Sequence, residues 1–343
     1  MTQKEYLKAL EEALIGIDPK NKAELMADFT EHFEIGLSEG KSEQDIIDHL
    51  GPVKDLVESL DLKRLKTESP VSGPQESTIS GDIDTVIIDG QHADVSISPS
   101  DDEKTHVEYD ISKRLLGKLS TEVTTRQEGK TLYVTVLNEN KFFNAGADSV
   151  DLDISLPKHL NHLECKTTSG DVDIQDLSID HLELHSVSGD IEGETLTSNE
   201  IKIVGVSSDV SLIRISGDLQ IKSVSGDLEI EHHNGSSLNA ETVSGDLEYD
   251  GSAQAVRINT TSGDAELNAK AITTLNANTV SGDVELHLGI ENKGLAINFI
   301  SNSGELRIGD ADYDTPRHNQ TITIGDGSIK VNLKSVSGDF TIE

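Results

Sequence analysis

Residues 163–172 read LECKTTSGDV, residues 182–191 LELHSVSGDI and residues 238–247 LNAETVSGDL, three copies of one pattern. The Ser-Gly-Asp triplet recurs with its glycines at Gly170, Gly189, Gly226, Gly245, Gly263 and Gly282, and Ser208 fills the remaining slot, so the repeat is 18 or 19 residues long. A period of that length is the mark of a stacked repeat fold. Seven residues before the glycine stand Leu163, Leu182, Ile201, Leu219, Leu238, Val256 and Leu275; two after it stand Val172, Ile191, Val210, Leu228, Leu247, Ala265 and Val284. Five before it, Cys165, Leu184, Ile203, Ile221, Ala240, Ile258 and Ala277 make a third apolar column. Polar residues such as Glu164, Glu183, Lys202 and Gln220 alternate with them.

Alternation of period two is a strand with one buried face. Each repeat is therefore two short strands, one running into the Ser-Gly-Asp corner and one leaving it, with a second turn such as His232-His233-Asn234-Gly235 between them. A single coil cannot bury its own apolar face, but coils stacked about 4.8 Å apart bury a continuous one. The chain is predicted to be mainly β, a β-solenoid (β-helix) of 18–19-residue coils. Its corner glycines are expected to supply positive φ, and its corner Asp and Ser to bond nearby backbone. After Gly282 the period breaks: Gly304 follows after 22 residues and Gly338 after 34, which points to an insertion around 310–319 near an irregular end.

Before the repeats the period changes. Leu7, Leu10, Leu14 and Ile17 are spaced for one helix face, with Thr2-Gln3-Lys4-Glu5 as a capping box. Asp18-Pro19 opens a second helix carrying Leu25, Met26, Phe29, Phe33 and Leu37, and Gly40 stops it. Ser42-Glu43-Gln44-Asp45 caps a third, and Gly51-Pro52 separates it from a fourth with Val53, Leu56, Val57 and Leu60. The expected organisation is a small helical bundle (1–66), a linker rich in Ser, Pro, Gly and Glu (67–80), a β cap (81–165) and the repeat solenoid (166–343). The cap strands are 86–88, 94–98, 106–110, 132–137 and 150–156.

The run DFTEHFEIGLSEGKSEQDIIDHLGPVKDLVESL, residues 28–60, resembles the HAAS signalling domain of Gram-positive bacteria. That resemblance implies contacts with a membrane signalling protein or a transcriptional regulator of the PadR type. The strand VDLDISLP at 150–157, followed by the Ser-Gly-Asp ladder, resembles the bacterial β-strand-repeat family labelled "putative adhesin". Members of that family belong to the Lia envelope-stress system of Firmicutes, which implies a part in cell-envelope stress signalling, or alternatively a structural, adhesin-like surface protein.

The chain holds 63 acidic residues against 28 Lys and Arg, a net charge of −35, and residues 166–343 alone hold 30 against 11, a net −19. A surface this negative repels nucleic acid and anionic lipid and favours cationic peptide or protein partners. Aromatic residues are 3% of the chain and there is no Trp, which disfavours a sugar-binding platform. No run approaches the 18 apolar residues of a membrane span, and the N-terminus lacks the order of a signal peptide, so no membrane insertion and a cytoplasmic location are expected. The lone Cys165 falls in an inward column.

Two columns are candidate binding ladders. Asp171, Asp190, Asp209, Asp227, Asp246, Asp264 and Asp283 follow the corner glycine directly, and Asp173, Glu192, Glu229, Glu248, Glu266 and Glu285 lie two residues further on. Like charges about 4.8 Å apart repel by about 0.9 kcal/mol in water and more near a protein surface. Either the corner Asp carboxylates accept backbone N–H groups, or the ladders hold cations or a basic segment. The calcium nonapeptide of β-rolls is absent, so no bound metal and no cofactor are expected. His162 and His181 should stack near Glu164, Glu183 and His185, a zinc-compatible set that stacked surface histidines also explain without metal. No nucleophile with a base, carboxylate pair in a cleft or phosphate loop stands out, so no catalysis is expected.

Overall fold

A computed structural model describes residues 1–14, 22–23, 26–27, 29–30, 33, 37, 41–59, 75–79, 81–112, 121–138, 149–288, 294–309, 311–313 and 320–343. The chain divides into two compact units, one of Met1–Gln75, Tyr109–Val123 and Val136–Val150 and the other of Glu76–Glu108, Thr124–Thr135 and Asp151–Glu343.

In the first unit, α1 (Gln3–Ala13), α2 (Glu43–Leu50) and α3 (Val53–Ser59) follow the apolar spacing of the sequence. Both expected capping boxes form. The Glu5 N–H donates to Thr2 Oγ1 at 3.3 Å while Glu5 Oε2 accepts from the Thr2 N–H at 2.9 Å, and Ser42 and Asp45 repeat the exchange. Leu10, Leu14, Phe29, Phe33, Ile46, Leu50 and Leu56 are buried together. Tyr6, which the leucine spacing passes over, joins them: its ring meets Phe33 edge-on at 5.9 Å and its hydroxyl donates to the Gly51 carbonyl at 2.9 Å. Of the residues read as helical, Ile17, Leu25 and Leu60 lie outside the described ones, as does the expected helix stop Gly40.

The second unit is the solenoid. One column of its entry wall, formed by strands running into the corner, is paired in parallel register as Val86, Leu163, Leu182, Ile201, Leu219, Leu238, Val256, Leu275, Val331 and Ile297. The exit wall, formed by strands leaving the corner, pairs Val95, Val172, Ile191, Val210, Leu228, Leu247, Ala265, Val284, Phe340 and Leu306. Every one of these side chains is at most 2% exposed. The sequence columns are thus the core.

Both ends depart from chain order. The coil 85–97 stacks directly on 159–174, although more than 60 residues separate them. At the other end the coil 329–342 is inserted between 274–288 and 295–308. Antiparallel strands close that end, Gln320–Ile324 on the entry wall and Ala311–Tyr313 on the exit wall. Of the expected insertion at 310–319, residues 311–313 form one of these strands and the others lie outside the described residues; closing the sheet edge removes a template for unwanted pairing. Gln75–Ile79, inside the segment read as linker, is a strand.

The corner glycines play a different role from the one expected. Among them only Gly226 has a positive φ, 129°. Glycine is required because the coils approach too closely for a side chain: a Cβ on Gly189 would lie 2.0 Å from the Gly170 carbonyl oxygen, and one on Gly263 1.9 Å from that of Gly245. At some corners, though not at Gly170, Gly226 or Gly245, a buried Ser or Thr three residues earlier completes the turn. The Gly189 N–H donates to Ser186 Oγ at 3.0 Å, and the Gly263 and Gly282 N–H groups donate to Thr260 and Thr279.

The second bend is likewise not a separate turn. Strands such as Leu228–Glu241 run through it, with a register shift at residues 230–233 and His232 at φ 56°. A bulge with one left-handed residue bends the strand while its neighbours stay paired. Beside it His233 is 2% exposed; Tyr249 Oη lies 3.1 Å from its Nδ1 and the Gly217 carbonyl 2.8 Å from its Nε2. With Nε2–H donating to that carbonyl, Tyr249 donates to Nδ1, and the imidazole is neutral.

Burial holds the His233 pKa below its ordinary 6.5, opposed by the Gly217 bond. Because the unfolded chain protonates this ring at higher pH than the fold does, its contribution is full above about 6.5 and is lost as pH falls towards the folded value. His233→Gln should flatten the acid limb of stability, measured as Tm from pH 7.5 to 5.5, relative to wild type.

Candidate binding face

Each corner Asp accepts a hydrogen bond from the backbone N–H of the next corner residue. The Asp171 N–H donates to Asp94 Oδ1 at 3.1 Å, Asp190 to Asp171 at 2.9 Å, Asp209 to Asp190 at 3.1 Å and Asp227 to Asp209 at 2.8 Å. The chain of bonds continues through Asp246, Asp264, Asp283 and Asp339 and ends with the Glu305 N–H on Asp339 Oδ1 at 2.7 Å. The ladder therefore follows spatial order rather than chain order. Charge-assisted bonds of this kind offset the repulsion between stacked carboxylates. Asp227→Ala leaves the Asp246 N–H without its acceptor and should lower stability by about 1 kcal/mol, whereas Asp227→Asn keeps an acceptor and should stay within about 0.5 kcal/mol by urea denaturation.

Two residues on, the second ladder runs Asp173, Glu192, Ser211, Glu229, Glu248, Glu266, Glu285, Thr341 and Arg307 in register. The structure brings both ladders to one face, with Ser211 interrupting the second. Between them lies a groove of about 720 Å³, lined by Asp246, Asp264, Asp283, Asp339 and Glu305 from the corner column and Glu248, Glu266, Glu285, Thr341 and Arg307 from the second.

The two walls differ sharply in charge. Over the nine coils from 162–175 to 329–343, the three outward columns of the exit wall hold 19 Asp and Glu and a single basic residue, Arg307. The corresponding columns of the entry wall hold Glu164, Glu183, Glu200, Asp218 and Glu241 against Lys166, Lys202, Lys222, Arg257, Lys330 and Lys334. One face carries a net −18 and the other +1. Several entry-wall charges pair locally, Lys202 with Glu183 and Lys166 with Glu164, and Lys222 with Glu241 at 2.8 Å. A one-signed face beside a neutral one concentrates cations at the exit wall.

His162 and His181 do stand opposite each other in register. Their carboxylates differ, however: His162 is 3.9 Å from Glu164, His181 is 3.6 Å from Glu200, and His185 is 2.8 Å from Glu183. These pairs do not converge on one point. A tighter grouping that the sequence reading missed is on the exit wall, where His287 lies 3.5 Å from Glu285, 3.7 Å from Glu266 and 3.4 Å from Glu343. Cys165 is buried, and burial pushes its thiol up to about 12, so it packs in the core as an apolar group. Among the described residues no helix is long and apolar enough to cross a membrane.

The HAAS family model matches residues 5–59. A "putative adhesin" from Parabacteroides merdae is 12% identical, covering 79% of this chain and 95% of its own with a TM-score of 0.49. Another from Parabacteroides distasonis is 11% identical, covering 80% and 98%, TM-score 0.46. A "putative lipid binding protein" from the same species is 16% identical over 80% and 98%, TM-score 0.35. Curated proteins give no match. The Toastrack DUF4097 family model matches residues 83–343, the span that forms the stacked coils, and the chain belongs to that family.

Proposed function

We propose that the chain is a non-enzymatic binding protein of the bacterial cell-envelope stress response, in which the exit wall receives a cationic peptide or protein segment and the HAAS-matching helices make signalling contacts. The charge segregation carries this reading: 19 carboxylates against one guanidinium on one wall, beside a balanced wall built from the same repeats. Repulsion within the corner column is already met by backbone N–H groups, so the groove needs no resident ion to form. The Asp ladder is then the structural rim, and the Glu248, Glu266 and Glu285 carboxylates, the last two with the His287 imidazole beside them, are the part that meets a partner's Lys and Arg. A face that repeats one residue class coil after coil suits an elongated ligand bound by many weak contacts. It does not single out one reacting atom.

Titration calorimetry of the full chain with a Lys-rich peptide tests the reading. Affinity should fall steeply as NaCl rises from 50 to 300 mM, because exposed ion pairs are screened. Glu248→Gln, Glu266→Gln and Glu285→Gln combined should weaken binding at least tenfold. Full affinity in that variant would remove the exit wall from the account.

A further inference from the structure

Of the nine large apolar side chains exposed among the described residues, six are Val187, Val206, Val224, Val243, Val280 and Val336, each 40–49% exposed. All six occupy the same place in the repeat, two residues before the corner glycine, or Ser208 in one coil. Spatial order sets them in one line along the solenoid, with Thr261 filling the place between Val243 and Val280 and Val336 following Val280. The fold does not require valine here, since Thr168 and Thr261 serve at equivalent positions. An apolar line of this length in water marks a contact surface.

The line is also rigid. In most coils the serine after the valine position donates from both N–H and Oγ to the carbonyl of that position in the coil below, as Ser225 does to Val206 and Ser262 to Val243, while Ser207 donates its N–H alone to Val187. A surface held this way loses little freedom on binding. Only Ser and Gly separate the valine line from the Asp ladder, so the two run parallel no more than about 10 Å apart.

We infer that the partner is a cationic amphipathic helix lying along the solenoid axis, its apolar face on the valine line and its basic flank over the Asp ladder and groove. This rests on the exit wall binding cations. Six coil steps from Val187 to Val336 span about 29 Å, the length of about 19 helical residues. Successive apolar turns of a helix lie about 5.4 Å apart, close to the 4.8 Å of the coils, whereas same-face residues of an extended chain lie about 6.7 Å apart and lose register sooner. A helix is about 10–12 Å wide with its side chains, enough to reach both lines at once.

Two 19-residue peptides of identical Leu and Lys composition are the probes, one with Leu at helical i, i+3, i+4, i+7 spacing and the other permuted so that no face is apolar. The patterned peptide should bind the full chain at least tenfold more tightly, a difference of about 1.4 kcal/mol. Val187→Thr, Val224→Thr, Val243→Thr, Val280→Thr and Val336→Thr combined should erase that difference and leave the permuted peptide unaffected. The variant is expected to fold, because threonine already stands in this column, and circular dichroism checks it. Equal binding of both peptides to wild type, or an undiminished preference in the threonine variant, would overturn the helix-on-valine assignment while leaving the acidic face intact. Binding of neither peptide would overturn both.

Discussion

Gly245→Ala is expected to destabilise the protein by at least about 3 kcal/mol, the upper range for overpacking a tight site. The added Cβ would lie 2.0 Å from the Gly226 carbonyl oxygen, 2.7 Å from its carbon and 3.2 Å from its nitrogen. All three are backbone atoms, so no side chain can swing aside, and the coils would have to part across both walls. Gly129→Ala is the control. There φ is 64° with nothing within 4 Å, so alanine meets backbone strain alone, about 1–2 kcal/mol. Urea denaturation of the two variants separates close approach from conformational freedom; equal losses would contradict the steric account. The coil at 208 solves the same problem in reverse. Ser208 occupies the glycine place, fully buried, and Gly205 stands where the other coils carry Ser or Thr. A Cβ on Gly205 would lie 3.2 Å from Ser208 Cβ, so Gly205→Ser alone should destabilise and Gly205→Ser with Ser208→Gly should recover.

Deleting residues 329–343 is expected to unfold more than the segment removed. In a solenoid whose coils follow chain order, the last coil comes away with only its neighbour's face exposed. Here the coil 329–342 is pinned on both sides, Val331 pairing with Leu275 and Ile297, and Phe340 with Val284 and Leu306. Without it, strands 295–300 and 306–308 lose their parallel partners, and the Phe299–Phe340 edge contact at 5.8 Å disappears. Hydrogen exchange should show full loss of protection over 295–308 and 320–324 in the truncated chain, with protection kept in coils before residue 260. Retained protection over 295–308 would mean that the cap docks on coil 274–288 by itself.

The interior was legible in the sequence because a β-solenoid maps one repeat position onto one spatial column. The leucines at 163, 182, 219 and 238 are buried for the same reason that they recur. Two physical facts were not legible. Local spacing says nothing of chain order at the ends, so the placement of Gly338 between Gly282 and Gly304 emerges only from pairing. Sterics between coils are also invisible in one repeat, so the corner glycines read as turn formers when they are contact points. The acidic ladders were legible as columns, whereas their contrast with the entry wall required counting both outward faces. The valine line carried a signal in the sequence, the Val of Val-Ser-Gly-Asp, but that residue falls outside the alternation and has no meaning until its exposure is known. The buried pair His233 and Tyr249 has no counterpart in other repeats, and a period hides what occurs once.

The central claim is that cations bind the exit wall and not the rest of the molecule. Carboxylate-directed crosslinking of the full chain to a Lys-rich peptide, with the linked residues mapped by mass spectrometry, tests it most directly. Links should concentrate at Glu229, Glu248, Glu266 and Glu285 and vanish at 300 mM NaCl, with Glu164, Glu183 and the helices of residues 3–59 unmodified. Links spread evenly over both walls, or gathered on the helices, would contradict the account.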